Sequence, residues 1–209
     1  MGNCQCGGTP GVHPCPFLFL LFINDIENEV LNNIKMFADD TSLYCVVEDQ
    51  TSAAESLNED LAFIHRWSSD WEIMFNATKT KSMLFSRKKM ANLPPLFFNG
   101  TMLENSKSHK HLGVTFNSNG KWNNHINEIY TKVCRRINIL RLKHKLDRKS
   151  LEKLYIGFIR PILEYGGIVW DNCILHESEL LESVQLEAAR IITGLRKGTS
   201  HEKLYTELG

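Results

Sequence analysis

The stretch Ile34–Val47 reads IKMFADDTSLYCVV, and it sets two adjacent aspartates, Asp39 and Asp40, inside a run that is otherwise apolar or uncharged apart from Lys35. The aromatic and β-branched residues on either side predict two short strands, Ile34–Ala38 and Thr41–Val47, with the acid pair at the turn between them. At a tight hairpin turn, carboxylates escape the burial of the strands and project from the end of a rigid sheet. Side by side they repel, and the arrangement is unfavourable unless a cation offsets it. Magnesium suits that purpose, because it is a hard ion that takes carboxylate oxygens and leaves positions open for phosphate. A lone Asp-Asp is equally a good turn dipeptide, so the neighbouring segments decide between the two readings.

Upstream, residues 1–16 are rich in Gly, Pro and Cys, carry no periodic signal and are expected to be poorly ordered. Phe17–Val30 reads as a buried helix or strand ending in the acidic INDIENEV. Downstream, Ser52-x-x-Glu55 has the form of a capping box, and Leu57, Leu61, Ile64, Trp67 or Ser68, and Trp71 keep the spacing of an amphipathic helix. Ile73–Phe75 and Ser82–Phe85 predict short strands around the turn NATKTK. After Pro94-Pro95, the sequence Leu96–Phe98, Asn99-Gly100, Thr101–Leu103 predicts a hairpin, and His111–Phe116 a further strand. From Trp122 the character changes: Trp122, Ile126, Ile129, Val133, Ile137 and Leu140 form one helical face, Leu151–Leu163 predicts a second helix and Ser178–Leu195 a third. The reading is an α+β fold, with a small antiparallel sheet and helices followed by an all-helical region, and a boundary near Gly120. The tryptophans 67, 71, 122 and 170 are read as core residues.

Composition sharpens this picture. The 209 residues carry 24 basic and 24 acidic side chains, yet residues 1–78 hold two basic against twelve acidic and residues 79–160 hold eighteen against four. An acidic first third beside a basic middle is the pattern of a cation-binding site next to a polyanion-binding surface. The six cysteines follow no disulfide framework, and no secretory signal precedes them. Cys4, Cys6, His13 and Cys15 match no common zinc spacing. The apolar run Phe17–Ile23 spans roughly 10 Å as a helix, well short of the ~30 Å bilayer core. The expectation is an intracellular protein, nuclear or cytoplasmic, without a membrane partner.

FADDTSLY, Phe37–Tyr44, resembles the signature hairpin of reverse transcriptases of non-LTR, jockey-like retrotransposons. The similarity extends through FLFLLFINDI ahead of it, WEIMFNATKTKSMLFS after it, HLGVTF with KWNNHI, RPILEYGGIVW and VQLEAARIITG, and so covers about residues 11–209. The resemblance implies a partial polymerase palm over 17–120 and a thumb and post-thumb region over 121–209. It implies RNA-directed DNA polymerisation with two Mg2+ ions, in which Asp39 is a metal ligand and Asp40 its less directly engaged neighbour. Lys79 would sit near the phosphates of the incoming dNTP, and the 111–116 segment in the hairpin that grips the primer end. The thumb helices would follow the RNA–DNA hybrid of RNA template and DNA primer. The charge count agrees: Lys132, Arg135, Arg136, Arg141, Lys143, Lys145, Arg148 and Lys149 fall in a stretch with ten basic residues and two acidic ones.

The pattern departs from the family at the start of the chain. A third carboxylate is expected on a strand upstream of Gly11, and the glutamine-glycine pair that shapes the nucleotide pocket is replaced in Gly11-Val12-His13-Pro14-Cys15-Pro16. The expectation is a truncated reverse transcriptase with little or no polymerase activity by itself. The alternative is a non-catalytic nucleic-acid-binding remnant that works through its basic helices.

Overall fold

Strands β1 (Asn33–Phe37) and β2 (Asp40–Tyr44) pair antiparallel, with Phe37 opposite Asp40, so the turn consists of Ala38 and Asp39 alone. Asp40 therefore opens β2, where the sequence reading put both acids in the turn. A two-residue loop matches the right-handed twist of the strands it joins, and it needs positive φ at its first central residue. Ala38 supplies it, at φ 53°.

The computed structural model describes residues 21, 23–88, 93–141, 146–196 and 198–208. Residues 1–16 and the cysteines and histidine within them lie outside the described residues, as do Lys143, Lys145 and half of FLFLLFINDI. The described chain divides into two compact units, the first taking residues up to 82 together with 93–105, the second 83–88 and 106–208.

In the first unit, a 3-10 helix at Asn24–Glu29 leads to the β1–β2 hairpin, and helix α1 (Gln50–Asp70) follows. Asp49, not Ser52, is the N-cap: its Oδ2 accepts from the Ser52 amide at 2.9 Å. That bond and its companion from the Ser52 hydroxyl hold the Asp49 carboxyl below its ordinary value. The helix buries Leu61, Ile64 and Trp67 against Ile23, Ile26, Ile34, Phe98 and Leu103. Trp71 falls past its end and is 45% exposed, in contrast to the core position expected of it.

Ile73–Phe75 forms no strand, because the Ile73 amide closes the helix by donating to the Ser68 carbonyl at 2.9 Å. Glu72, at φ 55°, takes the left-handed position that this C-terminal motif requires. The predicted Asn-Gly hairpin is present, with β4 (Phe97–Phe98) and β5 (Thr101–Met102) joined by Asn99 and Gly100 at φ 48° and 68°. Short strands β3 (Lys81–Ser82) and β6 (Glu104–Asn105) pair in parallel.

The second unit begins with a hairpin, β7 (Ser108–His111) and β8 (Val114–Asn117), where the sequence reading had a single strand over 111–116. Helix α2 (Asn123–Leu140) buries Ile126, Ile129, Val133, Ile137 and Leu140, the stripe expected from their spacing. The predicted second helix is broken in three: α3 (Arg148–Leu154), a π turn (Tyr155–Ile159) and α4 (Arg160–Glu164). Pro161 has no N–H for the carbonyl four residues earlier and its ring crowds that turn, and the wider π winding just before it accommodates both. Arg136 caps the Phe158 carbonyl in this turn at 2.9 Å.

A short α5 (Gly167–Trp170) precedes α6 (Leu175–Thr193), which stops at Gly194 in the left-handed conformation, and α7 (His201–Leu208) follows. Helices α2, α4 and α6 meet around Val133, Leu163, Val184 and Ala188. No helix among the described residues is long and apolar enough to cross a membrane.

Candidate functional site

The inner face of the β1–β2 hairpin carries Ile34, Met36 and Leu43 into the α1 core. The opposite face presents Phe37, Tyr44, Lys35 and Asp40 to solvent. Strand alternation thus anchors the hairpin from below and leaves its tip free. Asp39 and Asp40 are both exposed, and among the described residues neither carboxylate takes a hydrogen bond or an ion pair. Their oxygens are hard donors unengaged among the described residues, which fits a hard divalent cation in kind. They supply two carboxylates; no group of three or more His, Cys, Asp or Glu side chains gathers among the described residues.

The start of β1 is held by a buried acid. Asp60 on α1, 1% exposed, accepts from the amides of Leu31 (2.7 Å) and Asn32 (2.9 Å) and from the Asn32 side chain (2.7 Å), which also donates to Ser56. Three N–H donors satisfy its charge without a cation, and together they fix the residue that leads into the hairpin. Lys79 stands on a separate turn organised by Asn76, whose Oδ1 accepts from the amides of Thr78 (3.0 Å) and Lys79 (3.2 Å). Phe75 and Ala77 pack that turn on the same core as the hairpin, and the Lys79 side chain is exposed. No hydrogen bond or ion pair among the described residues joins Lys79 to Asp39 or Asp40.

In the second unit, the candidate phosphate contacts fall into two groups. Lys132, Arg135 and Lys149 are exposed. Arg136, Arg141 and Arg148 already have partners within the chain. Arg136 holds the Phe158 carbonyl, and Arg141 pairs with Glu187 at 2.8 Å. Arg148 pairs with Glu152 at 2.8 Å and also donates to the Glu207 carbonyl. Exposed pairs of this kind contribute ~0–1 kcal/mol each, so a phosphate can displace them.

A partly buried network ties the β7–β8 hairpin to α2. Glu128 accepts from Thr115 Oγ1 at 2.8 Å and from Lys110 Nζ at 2.9 Å. Burial pushes the Glu128 carboxyl up, and the bonds from Lys110 and Thr115 outweigh it and leave the group below its ordinary value. The same bond raises Lys110. His125, 3% exposed between the rings of Trp122 and Trp170, accepts from the Thr115 amide through Nδ1 at 3.2 Å, and its Nε2 has no partner among the described residues. Burial pushes the His125 imidazole below its ordinary 6.5. At the hairpin tip, Tyr165 donates its hydroxyl to the Leu112 carbonyl at 2.8 Å. Sequence reasoning had placed neither Asp60 nor Tyr165 among the functional residues. Tyr165 lies inside the quoted RPILEYGGIVW, whereas Asp60 reads as one acid among several on a long helix.

Residues 3–116 match the family described as reverse transcriptase (RNA-dependent DNA polymerase). The chain is 25% identical over 193 residues to the RNA-directed DNA polymerase from mobile element jockey of Drosophila melanogaster, a similarity covering 86% of this chain and 21% of that protein. It is 23% identical over 215 residues to the probable RNA-directed DNA polymerase from transposon X-element of the same fly, covering 97% and 24%. It is 27% identical over 177 residues to the retrovirus-related Pol polyprotein from type-1 retrotransposable element R1 of Bradysia coprophila, covering 80% and 17%. The chain therefore spans less than a quarter of the length of each of these relatives. No solved structure gives a significant match.

Proposed function

Because the chain belongs to the reverse transcriptase (RNA-dependent DNA polymerase) family, we propose that it is a palm-and-thumb portion of a non-LTR retrotransposon polymerase, working on an RNA template, a DNA primer and an incoming dNTP. In this reading the palm takes residues 17–120 and the thumb 121–209, and the protein works inside the cell, in the nucleus or cytoplasm. The observation that carries it is the hairpin tip: two exposed carboxylates without hydrogen-bond or ion-pair partners among the described residues, one in a two-residue turn and one opening the next strand, on a hairpin anchored in a packed core.

Asp39 and Asp40 would hold Mg2+ at that tip. The bound ion supplies charge neutralisation for the attacking and leaving oxygens of nucleotidyl transfer. The work of the chain's own residues is positioning. The packed face of β1–β2 fixes where the carboxylates project, and Asp60 fixes where β1 begins. Lys79, on the Asn76 turn, offers a cation to the dNTP phosphates as pyrophosphate departs. The β7–β8 hairpin meets the primer end. Lys132, Arg135 and Lys149, joined by Arg136, Arg141 and Arg148 when they exchange their internal partners for phosphate, hold the hybrid without reading its bases.

Primer extension with Mg2+, dNTPs and an RNA–DNA primer–template tests the reading. This chain alone should show little or no extension, and any extension it does show should vanish in Asp39→Ala. Extension that survives the substitution would overturn the assignment of the tip as the metal site.

A further inference from the structure

Two of the tight hairpins among the described residues solve the same backbone problem differently. In β4–β5 both turn residues take positive φ, and they are Asn99 and Gly100, the residue types that tolerate it. In β7–β8 both turn residues again take positive φ, Leu112 at 46° and Gly113 at 81°. Leucine is a poor occupant of that conformation, because its Cβ crowds the following carbonyl. Leu112 does not hold the turn by its own preference.

Tyr165 holds it. The Tyr165 hydroxyl donates to the Leu112 carbonyl at 2.8 Å. Its ring lies so close to the turn that a Cβ on Gly113 would stand 2.9 Å from Tyr165 Cε1. Tyr165 is itself fixed on both sides, its amide donating to Pro161 (3.1 Å) and its carbonyl accepting from Trp170 Nε1 (3.0 Å). The neighbouring Gly166, at φ 65°, brings the backbone so near β8 that a Cβ there would stand 3.0 Å from Val114 Cγ2. One rigid corner after α4 therefore grips one hairpin tip.

We propose that Tyr165 is a positioning residue that locks the Leu112–Gly113 turn in its left-handed form, so that the β7–β8 tip meets the 3′ end of the primer in one fixed shape. This rests on the reading of β7–β8 as the hairpin at the primer end. Tyr165 acts through the turn backbone and makes no demand on the nucleic acid itself. A turn that no longer needs the lock should therefore bypass it.

The test measures the affinity of the full chain for an RNA–DNA hybrid with a recessed primer 3′ end and for an uninterrupted hybrid of the same length, by fluorescence anisotropy. Amide exchange across residues 111–114 is followed alongside. The wild type should prefer the recessed end. Tyr165→Phe, which keeps the ring, should cut that preference by about fivefold, the weight of one hydrogen bond, and speed exchange at the tip. The double variant Leu112→Asn/Tyr165→Phe should regain both, because asparagine accepts the left-handed turn unaided. A Tyr165→Phe variant that keeps the wild-type preference, or a double variant as weak as Tyr165→Phe, would overturn the proposal. A wild type indifferent to the recessed end would instead sink the assignment of the hairpin to the primer, and the two failures are told apart by the wild-type measurement alone.

Discussion

Ala38 shows how much depends on a single backbone conformation. It carries φ 53° in the turn between Phe37 and Asp40, so a side chain with more bulk at Cβ should be refused there. Ala38→Val is expected to be ~1–2 kcal/mol less stable than Ala38→Gly in urea denaturation, because glycine enters the left-handed region freely. Asp60 tests a different principle. Asp60→Ala leaves two backbone amides and the Asn32 side chain without their acceptor in a buried site, at a cost of ~3 kcal/mol or more. If the variant unfolds at the same urea concentration as the wild type, the carboxylate does not anchor the hairpin. The Asp39–Asp40 pair was legible in the sequence because charge is conspicuous inside a strand pattern. Asp60 was not singled out, because one acid on a long helix looks solvated until its depth is known.

Among the elements, legibility followed turn chemistry. The Asn99-Gly100 hairpin could be read from its two letters, whereas the β7–β8 hairpin was reached only through the family resemblance of HLGVTF, since Leu112 disguises a left-handed position and Tyr165, 53 residues away, supplies what the turn lacks. The α2 stripe was readable from spacing alone, and the π turn before Pro161 was not, because a proline in a helix announces a disturbance without its form. The contact of β8 with α2 carries a pH dependence of its own. His125 is held below its ordinary 6.5 by burial, and Nδ1 already accepts from Thr115, so the folded unit favours the neutral ring. Glu128 faces it with a charge that favours protonation, while Lys110 and Lys132 oppose it. The unfolded chain binds the proton more readily, so stability present above about pH 6.5 is lost as the pH falls through and below that value. Denaturation midpoints should decline from pH 7 to pH 5.5 in the wild type. The decline should flatten in His125→Asn, which keeps an acceptor and does not titrate; an equal slope in both would place the pH dependence elsewhere.

At the scale of the whole molecule, a formal net charge of zero conceals the feature most relevant to a polyanion. The acidic first third of the sequence contains the carboxylate tip, and the basic middle supplies α2, α3 and the connection between them. The sequence showed this asymmetry in full but could not say which cations are already engaged, because partners such as Glu187 and Glu207 lie far along the chain. That distinction predicts unequal effects on hybrid binding. Each phosphate contact releases counterion, so the logarithm of affinity falls linearly with the logarithm of salt, by ~0.7–0.9 per contact. Lys132→Ala and Arg135→Ala, which remove exposed cations, should each lower the slope by about one such contact and weaken binding alike across sequences. Arg141→Ala should cost less affinity, because the arginine must first leave Glu187, with which it pairs at 2.8 Å. Glu187→Gln frees that arginine and should tighten binding of the hybrid at low salt. If Glu187→Gln leaves the affinity unchanged while Lys132→Ala and Arg135→Ala reduce it, Arg141 faces away from the bound nucleic acid, and the phosphate path follows the exposed side of α2 alone.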